Sequence, residues 1–175
     1  VTAWSLGMQL GVKTVFLKKP VADTAKLAAV TGDMRLPAGT IAGTGPRFVF
    51  DYRGADTAIA INRLLKDGAD VAFEASGDGT TRVAVSGVPR PRMESVATEF
   101  SLNVKAGAAV RGASGMRVRA PRIGMYQPWG GGNMDEGWTR WVLEQYEFTS
   151  TVLHNADVKA GTLRDRFDAI VLADQ

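Results

Sequence analysis

At 175 residues the chain has room for one ordinary domain or two small ones, and a chain of this size buries roughly 70% of its unfolded surface. Hydrophobic residues at 45% and charged residues at 22% are globular proportions, which sets aside disordered, collagen-like and coiled-coil classes. No apolar stretch approaches the ~20 residues of a membrane span, and VTAWSLGMQLGVKTV puts no charge ahead of its apolar residues, so neither a membrane partner nor a signal peptide is expected. The chain opens on Val1, and we expect it to be a piece of a longer protein. Cysteine is absent and histidine occurs once, at His154. Disulfides, thiolate-bound metals and multi-histidine sites are excluded, so no metal site and no cofactor are expected within these residues.

Charge is unevenly spread. Residues 1–81 carry nine basic and eight acidic side chains, residues 82–122 eight and two, and residues 123–175 four and eight. The basic block (Arg82, Arg90, Arg92, Lys105, Arg111, Arg117, Arg119, Arg122) invites a polyanion or nucleic-acid reading, because clustered arginines release counterions from phosphates. Its stacking candidates are only Phe100 and Met116, so nucleic acid is not the expected partner. Docking on the acidic C-terminal part, or on another domain, is the plainer expectation.

In chain order, KTVFLK (13–18) reads as a strand and RFVFDY (47–52) as a second. A helix follows over DTAIAINRLLKDG, with Ile59 or Ala60, Leu64 and Leu65 at helical spacing, Asp56 as N-cap and Gly68 as stop. DVAFEA then gives a strand–helix–strand unit, for which parallel strands and a right-handed crossover are expected. SGDGTT is turn chemistry from which TRVAVSG returns as a hairpin, and MESVATEFSL reads as a short helix. The Gly- and Ala-rich stretch 103–121 reads as a linker.

The pattern then restarts: RIGMYQ as a strand, PWGGGN as a loop and MDEGWTRWVLEQY as a helix. Trp138, Trp141, Val142, Gln145 and Tyr146 define one helix face, expected to cover the sheet, with a Glu136, Arg140, Glu144 charge ladder opposite. STVLH, a short helix within NADVKAGTLRDRF, and DAIVLAD, an apolar run expected to be buried on both faces, complete the chain. The fold class is therefore α/β with two βαβ-type units, one in residues 1–120 and one in 121–175.

The candidate ligand-binding residues are Gly130, Gly131, Gly132 and Asn133, in a loop between strand and helix, and His154 at a strand end. The loop has no Walker lysine and no GxGxxG, and Asp135 and Glu136 already occupy the helix start, so a flexible turn accounts for it. His154 has no GxSxG serine to activate and reads as a hydrogen-bonded structural histidine. No catalytic residue is expected.

Four blocks, VTAWSLGMQLGV, FVFDYRGADTAIAINRLLKDGADV, RIGMYQPWGGGNMDEGWTRWVLEQYEF and LRDRFDAIVLADQ, resemble the region downstream of the catalytic domain in large bacterial zinc carboxypeptidase-like metallopeptidases. MDEGWTRWVLEQY is the most specific, and together the blocks span nearly the whole chain. The resemblance implies a carboxypeptidase A-like domain followed by an ancillary region ending in a module similar to class I glutamine amidotransferases. On that reading 121–175 is the N-terminal half of a flavodoxin-like sheet, and the localisation is secreted or periplasmic. The partner is the catalytic domain of the same protein, with peptide or small-molecule substrates. Neither active site carries over, because zinc needs an HxxE pair with a second histidine and the amidotransferase needs a cysteine. The alternatives are a small-molecule-binding or hydrolytic domain using residues 130–132 and His154, and weak polyanion binding through 82–122.

With one histidine and no cysteine, the purified chain should retain well under one equivalent of zinc after dialysis by elemental analysis and hydrolyse no peptide.

Overall fold

The computed structural model describes residues 15, 17–19, 29, 31–32, 37–109, 115–128 and 134–173. Their strands form two sheets. The first is built from β1 (Thr40–Gly43), β2 (Arg47–Asp51), α1 (Asp56–Lys66), β3 (Asp70–Ala75), β4 (Thr81–Ser86), α2 (Arg90–Glu99), β5 (Asn103–Gly107) and β6 (Met116–Val118). Its strand order is β1-β5-β2-β4-β3-β6, antiparallel throughout except for β1 beside β5. The β2–α1–β3 unit therefore has parallel but non-adjacent strands, because the predicted β3–β4 hairpin folds back and inserts β4 between them. From β2 to β5 this is the split βαβ, or ferredoxin-like, arrangement.

Alternation sends Phe48, Phe50, Val71, Val83, Val85 and Val104 to one face of the sheet, where they are buried. Against them α1 sets Ala60, Ile61 and Leu64, and α2 sets Met93, Val96 and Ala97, the i, i+3, i+4 spacing of a helix stripe. Each such side chain removed from water contributes about 1.5–3 kcal/mol for Val, Leu, Phe or Met. The inward face of α1 is centred on Ala60, Ile61 and Leu64 rather than on Leu65, which is half-buried.

Gly68 stops α1 as expected, at φ 81°, with Gly68 N–H donating to Leu65 O and Ala69 N–H to Leu64 O. Ala55 rather than Asp56 is the N-cap, and Asp56 supplies a carboxylate to the first turn. In the hairpin turn Thr80 donates to the Asp78 carboxylate from both N–H and Oγ1, holding that carboxyl down at about 2. The stretch expected to be a linker supplies β5 and β6 at its ends. Val15, Leu17 and Lys18 of the strand expected at 13–18 are not in a strand, and the rest of that segment lies outside the described residues.

The second sheet comprises β7 (Ile123–Tyr126), α3 (Met134–Gln145), β8 (Ser150–Leu153), α4 (Asn155–Ala160), α5 (Leu163–Arg166) and β9 (Ala169–Leu172). All strands are parallel in the order β8-β7-β9, the 2-1-3 order with which flavodoxin-like sheets begin. Central β7 is buried, and Leu153 is fully enclosed. The apolar run on β9 is not buried on both faces: Ile170 is 40% exposed and Leu172 71%. As an edge strand it has a neighbour only in β7, and its continuous apolar pattern has no second layer among the described residues.

Among the described residues two groups of polar contacts tie the second sheet to the first or to the segment between them. The 7%-exposed Asn62 donates from Nδ2 to Tyr146 O at 2.8 Å, satisfying a carbonyl at the end of α3. Arg63 Nε and Lys66 Nζ bind the two Glu147 carboxylate oxygens at 2.7 and 2.9 Å. Arg63 also pairs with Glu99 at 2.5 Å and lies over the Phe100 ring at 5.0 Å. At the second place Asp168 accepts from Arg119 Nη1 and Nη2 and from Arg122 Nε, Nη2 and backbone N–H. These hydrogen bonds hold the Asp168 carboxyl far below its usual range.

Glu147 sits in the left-handed region at φ 59°, at the position after the α3 cap where glycine is usual. Its geometry is fixed by Glu147 N–H to Glu144 O and Phe148 N–H to Leu143 O. A non-glycine residue there costs about 1–2 kcal/mol.

Asn62→Ala should cost about 1–3 kcal/mol by stranding the Tyr146 carbonyl, and it should separate the unfolding of the second sheet from that of the first in a calorimetric scan. The Glu147 carboxyl is lowered by its hydrogen bonds from Lys66 and Arg63, so its contribution is present above the ordinary carboxylate range and lost as pH falls below it. Glu147→Gln should accordingly flatten the loss of stability on acidification below about pH 4.5.

Candidate functional site

Of the sequence-predicted residues, His154 falls at the carboxyl end of a parallel strand, where open α/β sheets receive ligands. Gly130, Gly131, Gly132 and Asn133 lie outside the described residues. His154 ends β8 and caps α4: its N–H donates to Asp157 Oδ2 at 3.0 Å and its Nδ1 stands 3.2 Å from Gln127 O. The contact with the carbonyl is a hydrogen bond in the tautomer that carries the proton on Nδ1. Beside it Tyr126 Oη donates to Asn155 Oδ1 at 2.5 Å. The Asp157 carboxyl is lowered, first by the His154 N–H and next by Arg166. The His154 N–H and Tyr126 contacts lie where a strand ends and a helix starts, around a solvent-exposed imidazole.

The outer side of α3 departs further from expectation. The Glu136, Arg140, Glu144 ladder forms, with Arg140 Nε 3.2 Å from Glu136 and Nη1 3.9 Å from Glu144. Glu136, however, is the buried residue of the helix at 2% exposure, while Trp138 and Trp141 are 60% and 51% exposed. Glu136 tolerates this position because it lies in the first turn, where unbonded N–H groups and the helix dipole favour a carboxylate, and because Arg140 is one turn away. The tryptophans meet edge to face at 5.8 Å between centroids and share an outward face with Met134 and Val142. The face expected to cover the sheet thus points to solvent. Periodicity locates two unlike helix faces but not which of them turns inward, and the carboxylates at the helix start were the available signal.

The face of the first sheet that carries no helix among the described residues holds an arrangement that sequence reasoning missed. Arg47 on β2 reaches across β4 to grip both oxygens of Glu74 on β3, at 2.5 and 2.6 Å. Register places Ala84 between them, and the pair covers this alanine, which is 7% exposed. The pair borders a cleft of about 460 Å³ floored by Ala72 and Ala84, with Ser86, Asp70 and Arg117 at its sides.

Much of the basic block is paired within the chain. Arg90 pairs with Glu94, Arg92 with Asp67, Arg117 with Asp70, and Arg119 and Arg122 with Asp168, so among the described residues five of its cations are engaged by four carboxylates. Docking of basic residues on the acidic C-terminal part occurs at Asp168, and the other three pairs lie within the first sheet's unit.

An exposed Trp141 changes the expected cost of truncation. Trp141→Ala should move stability by no more than about 0.5 kcal/mol in chemical denaturation, against the 3–5 kcal/mol typical of a core tryptophan. Duplex DNA should bind weakly, without sequence preference, and dissociate as salt approaches about 150 mM in a fluorescence anisotropy titration.

No protein-family model, no curated protein and no solved structure matches this chain.

Proposed function

We propose that the chain is a non-catalytic ancillary region of a zinc carboxypeptidase-like metallopeptidase and packs through α3 against that protein's catalytic domain. The observation that carries this reading is the exposed Trp138–Trp141 pair. It lies within MDEGWTRWVLEQY, the most specific block of the resemblance. Two large aromatic side chains held at a fixed angle on a helix, with a carboxylate turned inward beneath them, have the composition of an interface centre. The parallel 2-1-3 order of the second sheet agrees with the flavodoxin-like start that the resemblance implies. One histidine and no cysteine leave the zinc chemistry to another part of the protein.

Reading the gene across both ends of these 175 residues tests the parent identity: an in-frame upstream HxxE followed by a later histidine is the expected result. In-frame stop codons on both sides would overturn it. In the longer protein, Trp138→Ala combined with Trp141→Ala should lower the melting temperature and speed proteolysis between the domains, while the 175-residue chain melts unchanged. Equal behaviour of the longer protein with and without the tryptophans would remove α3 as the docking surface.

A further inference from the structure

The outer edge of the first sheet is occupied in an unusual way. Among the described residues β1 is the terminal strand, and its register with β5, together with Thr40 N–H donating to Leu102 O at 3.0 Å, turns the peptide groups of Thr40 and Ala42 toward β5. Strand alternation then turns those of Ile41 and Gly43 outward. Arg90, the first residue of α2, donates from Nη1 to Gly43 O at 2.9 Å and from Nη2 to Ile41 O at 3.3 Å. Its Nε is held by Glu94, one turn along the helix, at 2.8 Å. One guanidinium therefore fills both outward carbonyls of the strand.

The position is electrostatically awkward for an arginine. α2 has no acidic residue in its first turn and opens with Arg90 and Arg92, where the helix dipole and unbonded N–H groups disfavour cations. A local rule broken at one residue points to a use for that residue elsewhere. Arg92 is accounted for by Asp67 at 2.7 Å, and Arg90 by the strand edge. Exposed strand edges are templates for pairing with another chain, and charged side chains are a recurrent means of closing them.

We propose that Arg90 is an edge guard, whose guanidinium prevents β1 of one copy from pairing with β1 of a second copy. It acts as a plug rather than a core contact, since its side chain is 40% exposed and takes no part in the β1–β5 ladder. Glu94 orients the plug. The guard stands independently of the metallopeptidase reading.

Sedimentation velocity of the full chain over a concentration series tests it. Arg90→Ala should self-associate at least about tenfold more tightly than the parent, and Arg90→Met, which keeps the apolar stem, should do the same. Arg90→Lys and Glu94→Gln should fall between them and the parent. Adding Ile41→Pro, which deletes an outward N–H and leaves the β5-facing groups in place, should abolish the added association; association through the tryptophan face would survive it. Arg90→Ala and Arg90→Met chains that are folded by circular dichroism yet sediment as the parent does would overturn the proposal. So would added association that is indifferent to Ile41→Pro.

Discussion

The meeting of α1 with the end of α3 is the contact on which the two-sheet architecture depends. Asn62, Arg63 and Lys66 lie within five residues of one helix and together satisfy a main-chain carbonyl and a carboxylate. The carboxylate belongs to Glu147, held in a left-handed conformation that glycine would adopt at lower cost. A glycine there would relax the backbone and delete both ion pairs. The residue thus trades local comfort for a connection between distant parts of the chain.

Much of the fold was legible in the sequence, and the boundary of legibility has physical reasons. α1, its Gly68 stop, the β3–β4 hairpin and the alternation of strands and helices from Ile123 onward are local features set by periodicity and turn chemistry. The insertion of β4 between β2 and β3 is a choice among long-range pairings that no local pattern encodes. Left-handed stops at Ser101 and Glu147 went unforeseen because neither residue is a glycine. β9 reads as buried because its composition is that of a strand with layers on both faces, although the described residues supply no second layer.

The candidate site was legible only in part. His154 was foreseen as a structural histidine at a strand end, and its contacts with Asp157 and Gln127 fit that role. The orientation of α3 was not foreseen, because the aromatic face outweighs the charged one on any hydrophobicity scale while the helix start makes a buried Glu136 tolerable. The basic block illustrates the same limit: Arg92 and Asp67, or Arg119 and Asp168, are 25 and 49 residues apart. Linear charge counts cannot see such neutralisation.

The clamp of Arg119 and Arg122 on Asp168 has a mechanical meaning when set beside the contact at Glu147. A body tied to another at one point can turn in any direction, whereas a body tied at two separate points can swing only about the line that joins them. Two separated ties leave the second sheet fewer ways to turn against the first than either would alone. The edge of β9, anchored through Asp168 at its start, thus holds exposed Ile170 and Leu172 at a set place beside that tie.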